Sequence, residues 1–328
     1  MTIQGKARRR AVTLALIAVI AIACGSVLRT AVERGLISTS TVLKFWAVAS
    51  PRAADRAYYR LQAENEAFHQ ELDGMLAQYT DTVPPEIVRH VRQRRRELLV
   101  QFEDFTRRHS NHVLGLVAHA DLLAESGSVA RALDQREKAA RLAGNDPLLW
   151  REYADRCLHF GDVHRAFYAL EQVVRLQPRE LAALRDLADA LFLYRPDAMS
   201  YYRLTEAEVF DRSLGLLRHA RDLYPQNPDL ARDLANCYYT IKPPRDAEAV
   251  EAWDYVRRIA LDEYDRQNAC LHMARFLLKS GEPDRAAQLL DRVTLPAHAL
   301  HKGRVQRNIA LARSLPADAT VVPASFTD

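Results

Sequence analysis

The sequence predicts an all-α fold in which antiparallel helix pairs repeat along the chain, preceded by one membrane-anchoring helix. Helix-forming residues dominate a composition with only 11 glycines and 14 prolines, and no window alternates β-branched residues between turn signals. Apolar residues recur at spacings of three and four, and whole blocks of this pattern recur after about 34 residues. An uncharged apolar stretch near the N-terminus follows a cluster of basic residues.

The first 30 residues carry the features of a membrane anchor. Lys6 and three arginines at residues 8–10 precede an uncharged stretch over residues 11–28, and no acidic residue occurs before Glu33. This stretch is longer than the apolar part of an ordinary cleaved signal peptide and just long enough to span a bilayer. The basic cluster predicts a cytoplasmic N-terminus, with the body of the chain facing the periplasm or the exterior.

Residues 21–25 (AIACG) leave the fate of this segment open. They resemble a bacterial lipobox, in which a small residue precedes a cysteine that is lipidated and becomes N-terminal. Such sites usually carry a large aliphatic residue three positions before the cysteine, where this chain has Ala21. An uncleaved single-span anchor in a bacterial inner membrane is the favoured prediction. A lipoprotein lipidated on Cys24 and an ordinary cleaved signal are the alternatives.

The repeat is clearest over residues 147–180. Apolar side chains at spacings of three and four, beginning with Trp150, form one stripe of a first helix. Gly161 suits the turn that follows, and the small residues Ala154 and Ala166 let two antiparallel helices approach closely. The same features recur one period earlier, at Leu116, Ala120, Leu123, Gly127, Ala132 and Ala139.

These positions resemble the signature of tetratricopeptide-repeat (TPR) proteins. The resemblance covers five units over residues 113–294, with an insertion around residues 195–208 and a capping helix over residues 305–315. It implies a right-handed superhelical solenoid whose first helices line a concave groove. Upstream, further helices are predicted over residues 53–78 and 86–109. The predicted domains are an anchor over 1–30, an N-terminal helical region over 31–110, the TPR-like array over 111–315 and a disordered tail over 316–328.

The resemblance also implies where a partner binds, because the fifth and ninth positions of each first helix tend to face a bound peptide in TPR proteins. The predicted partner-binding residues are Arg151, Asp155, Arg185, Asp189, Arg232, Asn236 and Arg275. The alternative is an ion pair within each helix, which contributes only about 0.2–0.5 kcal/mol and less in this orientation. The pattern is similar to a TPR carboxylate clamp, but Asp155 and Asp189 would repel a carboxylate. A mixed-charge extended segment is therefore the predicted ligand.

Neither the composition nor the sequence motifs indicate an active site, a cofactor site or a nucleic-acid-binding surface. The chain has no phosphate-binding glycine loop, no nucleophile elbow and no cysteine–histidine set with zinc spacing, so we predict no enzyme and no cofactor. With 46 Lys and Arg against 42 Asp and Glu, four of the cations preceding the apolar stretch, the body is neutral and a poor nucleic-acid binder.

The predicted function is a membrane-tethered, non-enzymatic scaffold that binds another protein in the cell envelope. The alternative is a glycan- or cell-wall-associated accessory factor for envelope assembly or polysaccharide export. That alternative requires exposed aromatic platforms, for which Phe192 and Tyr239 are the candidates. An enzyme is the least favoured prediction.

Two further features each allow two interpretations. The arginines over residues 89–96 form either a solvated helix face, which is favoured, or a contact for an anionic partner or lipid headgroups. Tyr201 and Tyr202 in the insertion either pack onto the core, which is favoured, or serve as exposed interface anchors.

Overall fold

The computed structural model describes residues 42–43, 46, 50, 52–79 and 82–314. These residues form fourteen α-helices and one 3₁₀ turn, with no strand among them, so the all-α prediction is confirmed. Of the helices described, none has both the length and the apolar character that a membrane crossing requires. The predicted anchor, Cys24 and the predicted tail over 316–328 lie outside the described residues. The chain divides into two compact units, one up to Leu149 and one from Trp150 onward.

The first unit contains four helices, and each packs against the next. They are α1 (Ala53–Leu76), α2 (Pro85–Arg108), α3 (Val113–Glu125) and α4 (Val129–Ala143). Phe68, Leu98 and Phe102 fill its core, each almost completely buried. The two helices predicted upstream of the repeats, over 53–78 and 86–109, thus form within two residues of the predicted ends.

Gly115 lies at the closest approach between α2 and α3. A Cβ atom at this position would lie 2.3 Å from Cε1 of Phe105. The Phe105 ring is buried and contacts the rings of Tyr58 and His112, so it cannot easily move aside. This requirement for glycine comes from packing between helices rather than from a turn.

We expect Gly115→Ala to lower the free energy of unfolding by about 1–3 kcal/mol, the usual cost of extra volume in a packed core. Gly215→Ala is the matched control, because a Cβ on that helical glycine meets nothing within 4 Å. That variant should be more stable than the wild type by about 0.5–1 kcal/mol. Urea denaturation followed by circular dichroism measures both. Equal effects of the two substitutions would contradict the packing account.

The second unit continues the series of helix pairs. Its helices are α5 (Pro147–His159), which begins just before the boundary, α6 (Val163–Leu176), α7 (Leu181–Leu193), α8 (Arg195–Tyr202), α9 (Glu206–Leu223), α10 (Pro228–Cys237), α11 (Asp246–Ile259), α12 (Glu263–Lys279), α13 (Pro283–Leu290) and α14 (Ala299–Ser314). Helix α7 packs against α9, α10 against α11 and α12 against α13, as the predicted units require. Helix α14 packs on α12 and α13 and thereby caps the last pair.

The predicted turn glycines lie in the turns of three helix pairs, α3–α4, α5–α6 and α12–α13, and these turns have the same backbone geometry. Gly127, Gly161 and Gly281 have φ angles of +80°, +79° and +77°, in the left-handed region that glycine adopts without strain. In each turn the amide of the residue after the glycine donates a 2.8 Å hydrogen bond to a carbonyl five residues earlier. This Schellman bond satisfies a carbonyl at the end of the first helix.

The insertion after α7 forms a short helix, α8, which the sequence analysis did not predict. Tyr201 and Tyr202 lie against Phe167, with ring centroids 5.6 and 5.5 Å from the Phe167 ring. The guanidinium of Arg212 lies 3.9 Å from the Tyr202 ring centroid, in a cation–π contact. The structure therefore agrees with the packed interpretation of these tyrosines.

Two helix starts differ from the predicted positions. Helix α12 begins at Glu263, four residues before the predicted start at Gln267. The carboxylate of Asp262 accepts a 2.8 Å hydrogen bond from the amide of Asp265 and so caps the helix at this earlier point. Helix α14 begins at Ala299 because the 3₁₀ turn Pro296–His298 leads directly into it.

Candidate protein-binding face

The predicted partner-binding residues all lie in the second unit, on the first helices of consecutive pairs. We call this set the ladder face: Arg151 and Asp155 on α5, Arg185 and Asp189 on α7, Arg232 and Asn236 on α10, and Arg275 on α12. Residues four apart lie one above the other on a helix, so each arginine shares a side with the residue four positions later. The buried residues Tyr153, Ala154 and Cys157 mark the side of α5 that packs into the unit.

Three of the four arginines of the ladder face pair with the next first helix, and none of the three pairs with the residue four positions later in its own helix. The three pairs are Arg151 Nε with Asp186 Oδ2 at 3.1 Å, Arg185 Nη2 with Asp233 Oδ2 at 2.5 Å, and Arg232 Nη2 with Asp265 Oδ2 at 3.3 Å. They join α5 to α7, α7 to α10 and α10 to α12. These three arginines therefore link neighbouring repeats. No ion pair forms with the residue four positions later in the same helix, although Arg232 Nη1 also lies 3.6 Å from Oδ1 of Asp229, three residues earlier in α10.

The acidic partners of these pairs were missed by the sequence analysis. Asp186 and Asp233 directly follow Arg185 and Arg232, so an Arg-Asp dipeptide at the fifth and sixth positions was the available signal. Asp265 lies in the first turn of α12. All of these side chains are partly exposed, and pairs of this kind each contribute at most about 1 kcal/mol.

The residues at the ninth positions of α5, α7 and α10 lack side-chain partners in the described part of the chain. Within the part of the chain that the structure describes, the side chains of Asp155, Asp189 and Asn236 take part in no ion pair or hydrogen bond. Burial raises the pKa of Asp189, Arg185 opposes this, and the neighbouring carboxylates of Asp233 and Asp186 raise the pKa further. Burial likewise raises the pKa of Asp186. The α5–α7 end of the ladder face therefore has an excess of negative charge that a cation would stabilise.

The α12 end of the face has the opposite charge. Arg275 forms no ion pair within the described residues and lies beside the hydroxyl of Tyr239, whose pKa is raised by burial and lowered in part by this arginine. The same hydroxyl lies 2.5 Å from Nδ1 of His272. The His272 ring in turn stacks on Trp253, with centroids 3.9 Å apart and planes 8° apart. This packing fixes the position of the Tyr239 and His272 side chains beside Arg275.

The two aromatic residues proposed as glycan platforms are packed against the core. The Phe192 ring lies 5.5 Å from the Phe210 ring, and the Tyr239 ring lies 4.6 Å from the Phe276 ring. Both residues are half-buried. A cationic side chain also lies near each ring, with the Arg195 guanidinium 5.5 Å from the Phe192 centroid and the Lys279 ammonium 5.4 Å from the Tyr239 centroid.

A cavity of about 330 Å³ lies between α9, α10 and α11. Its Arg218 side chain donates hydrogen bonds to the Tyr238 hydroxyl and the Glu248 carboxylate, so these polar groups satisfy one another. In the described part of the chain, no group of three or more histidine, cysteine, aspartate or glutamate residues is arranged to hold a metal ion. The absence of catalysis stays a prediction.

The burial of His272 gives the second unit a pH-dependent stability. Burial, Arg275 and His301 lower the pKa of His272 to about 4, whereas an unfolded histidine titrates near pH 6.5. At a pH between about 4 and 6.5, the unfolded chain therefore binds one more proton at His272 than the folded chain does. The full stability is therefore present above pH 6.5, and about 3 kcal/mol is lost as the pH falls towards 4.

We expect His272→Phe to flatten this dependence of the unfolding free energy between pH 7 and pH 4.5, measured by urea denaturation at each pH. The exposed His219 supplies the control, since His219→Phe should leave the wild-type dependence in place. A His272→Phe profile that is parallel to the wild-type profile would contradict the assignment.

No family model and no curated protein sequence matches the chain, whereas several solved structures have a similar arrangement of helices. YrrB, described as a TPR protein with an unusual peptide-binding site, is 13% identical over 63% of this chain and 97% of its own, with a TM-score of 0.41. A TPR protein from Parabacteroides merdae is 13% identical over 87% of this chain and 95% of its own, with a TM-score of 0.38. PilF of Pseudomonas aeruginosa is 13% identical over 78% of this chain and 99% of its own, with a TM-score of 0.35.

Proposed function

We propose that this chain is a membrane-tethered scaffold of the cell envelope whose ladder face holds an extended segment of a partner protein. The observation that carries the proposal is the pairing of its charges. Three arginines are engaged between helices, which leaves Asp155, Asp189 and Arg275 as the charges of the face that have no ion pair with any described residue. A face with two anions at one end and a cation at the other favours a mixed-charge segment in one orientation.

The spacing of the helices sets the spacing of the charges in the partner. The Arg151–Asp186 ion pair joins α5 to α7. We take their separation as about 8–10 Å, the usual distance between the axes of neighbouring helices, and an extended chain advances about 3.3 Å per residue. Basic side chains at positions i and i+3 of the partner therefore lie opposite Asp155 and Asp189 on the neighbouring helices α5 and α7. An acidic side chain further along the segment lies opposite Arg275.

The tether rests on the apolar stretch over residues 11–28 and the basic residues before it. In this proposal the N-terminus stays in the cytoplasm and both compact units face the periplasm or the exterior. Lipidation of Cys24 is the alternative means of attachment at the same place in the chain. Either attachment raises the effective concentration of the ladder face near membrane-bound partners.

Synthetic peptides of fixed composition test this function. Extended peptides with lysines at i and i+3 and a glutamate towards one end should bind the purified full chain in preference to peptides of the same composition with adjacent lysines. Peptides with every lysine replaced by glutamate should not bind. Equal binding to all three sets, or preference for the acidic set, would remove the basis for the proposal.

A further inference from the structure

The outward side of α2 has a stripe of arginines that no described residue neutralises. Arg89, Arg92 and Arg96 are exposed, and their spacings of three and four place them on one side of the helix. Among the residues that the structure describes, none forms an ion pair or hydrogen bond with these side chains. The other two arginines of the run, Arg94 and Arg95, pair with Glu97 and Glu125.

The stripe lies on the far side of α2 from the core of the first unit. Leu98, Phe102 and Phe105 mark the buried side of the helix. Val100, one turn beyond Arg96, is 65% exposed on the same side as the arginines. The stripe therefore ends in an apolar side chain that also has no place in the core.

Few opposing charges lie along this side of the helix. Glu71 lies 3.4 Å from His90, and Glu103 lies 2.7 Å from Arg131. Glu86, in the first turn, is an exposed carboxylate without a described partner. The three arginines thus exceed the free acidic charge in the stripe.

We infer that Arg89, Arg92, Arg96 and Val100, which we call the α2 basic face, rest on an anionic lipid surface. The inference builds on the proposed membrane tether. Each arginine near such a surface raises the ratio of docked to undocked protein roughly fivefold, and the attraction extends over a Debye length of about 10 Å. Val100 enters the boundary between headgroups and acyl chains. The tethered first unit thereby acquires a fixed orientation towards the membrane.

A lipid surface is the favoured occupant because of where the face lies in the chain. Residues 29–52 connect the apolar stretch to α1, and even fully extended they reach at most about 80 Å. A tether of that length keeps the first unit close to the membrane. A nucleic acid or an acidic protein would have to reach the same face within that confined space.

The test places an environment-sensitive fluorophore on the α2 basic face. Full-length protein carrying Val100→Cys is labelled and mixed with vesicles of phosphatidylcholine alone or with phosphatidylglycerol added. Unsubstituted protein, labelled in parallel, corrects for the native cysteines. We expect a blue shift only with the anionic vesicles. The triple variant Arg89→Gln/Arg92→Gln/Arg96→Gln should lower the ratio of docked to undocked protein at least about tenfold, and high salt should do the same.

A matched control removes the same charge elsewhere. Arg179, Arg304 and Arg307 are exposed in the second unit without a described ion pair, and replacing all three with glutamine should leave docking unchanged. Flotation with phosphatidylcholine vesicles tests the tether separately, because it depends on the apolar stretch and not on arginine. Protein that fails to float overturns the tether, while the response to anionic vesicles still decides the α2 basic face. The inference is overturned if the fluorescence shift at position 100 is the same with neutral and anionic vesicles. It is also overturned if the α2 triple variant and the control variant change that shift equally.

Discussion

Replacing Asp155 and Asp189 together with lysine is expected to weaken binding of a peptide with lysines at i and i+3 by at least about 100-fold. The substitution removes two unpaired anions and opposes each lysine of the peptide with a like charge, which costs several kcal/mol in a specific interface. Fluorescence anisotropy with the labelled peptide at physiological salt measures the affinity. The wild-type affinity should fall as salt is added, since most of the attraction is electrostatic.

The control for this pair reverses the same number of charges away from the ladder face. Glu251 on α11 and Asp291 after α13 are exposed and have no described ion pair. Glu251→Lys/Asp291→Lys therefore changes the net charge equally and should leave the affinity within about threefold of the wild type. A comparable loss in both variants would mean that net charge, and not the ladder face, governs binding.

The second large effect is expected from Trp253→Ala. The Trp253 side chain is 1% exposed and packs at the centre of the cluster formed by α7 and α9–α12. Truncating a buried tryptophan leaves a large cavity, and we expect the free energy of unfolding to fall by about 3–5 kcal/mol. Urea denaturation gives the magnitude, and faster hydrogen exchange in α11 and α12 should locate the loss.

The same substitution should also affect His272. Without the stacked indole, water reaches the imidazole, and the pKa of His272 should rise from about 4 towards the ordinary histidine value. Leu261→Ala is the control, because Leu261 is 82% exposed and its truncation should change stability by no more than about 0.5 kcal/mol. A loss below about 1 kcal/mol in Trp253→Ala would contradict the assigned core.

The local rules of helix and turn formation explain what the sequence predicted correctly. Gly161 and Gly281 mark turns because left-handed backbone favours glycine wherever it occurs. The spacing of apolar residues likewise identified the buried stripe of α5, because this periodicity indicates which side of a helix is buried. Such features depend on a few neighbouring residues and need no knowledge of the rest of the fold.

The pairing of the ladder face depends on distances between helices, which periodicity does not supply. Arg185 is separated from Asp233 by 48 residues, and the insertion between them alters the spacing of the repeat. The sequence pattern therefore singled out Arg185 but did not identify its ion-pair partner. The close approach of Gly115 to Phe105 was missed for the same reason, because it depends on how tightly α2 and α3 pack.

Site-specific cross-linking in membranes tests the ladder face most directly. Asn236 is exposed at the ninth position of α10, and a photoreactive amino acid there would contact any bound segment. The exposed Glu251 on α11 is the matched position away from the ladder face. We predict a discrete protein adduct from position 236, none from position 251, and loss of the adduct in Asp155→Lys/Asp189→Lys. Equal adducts at both positions, or an adduct that survives the charge reversal, would contradict the account.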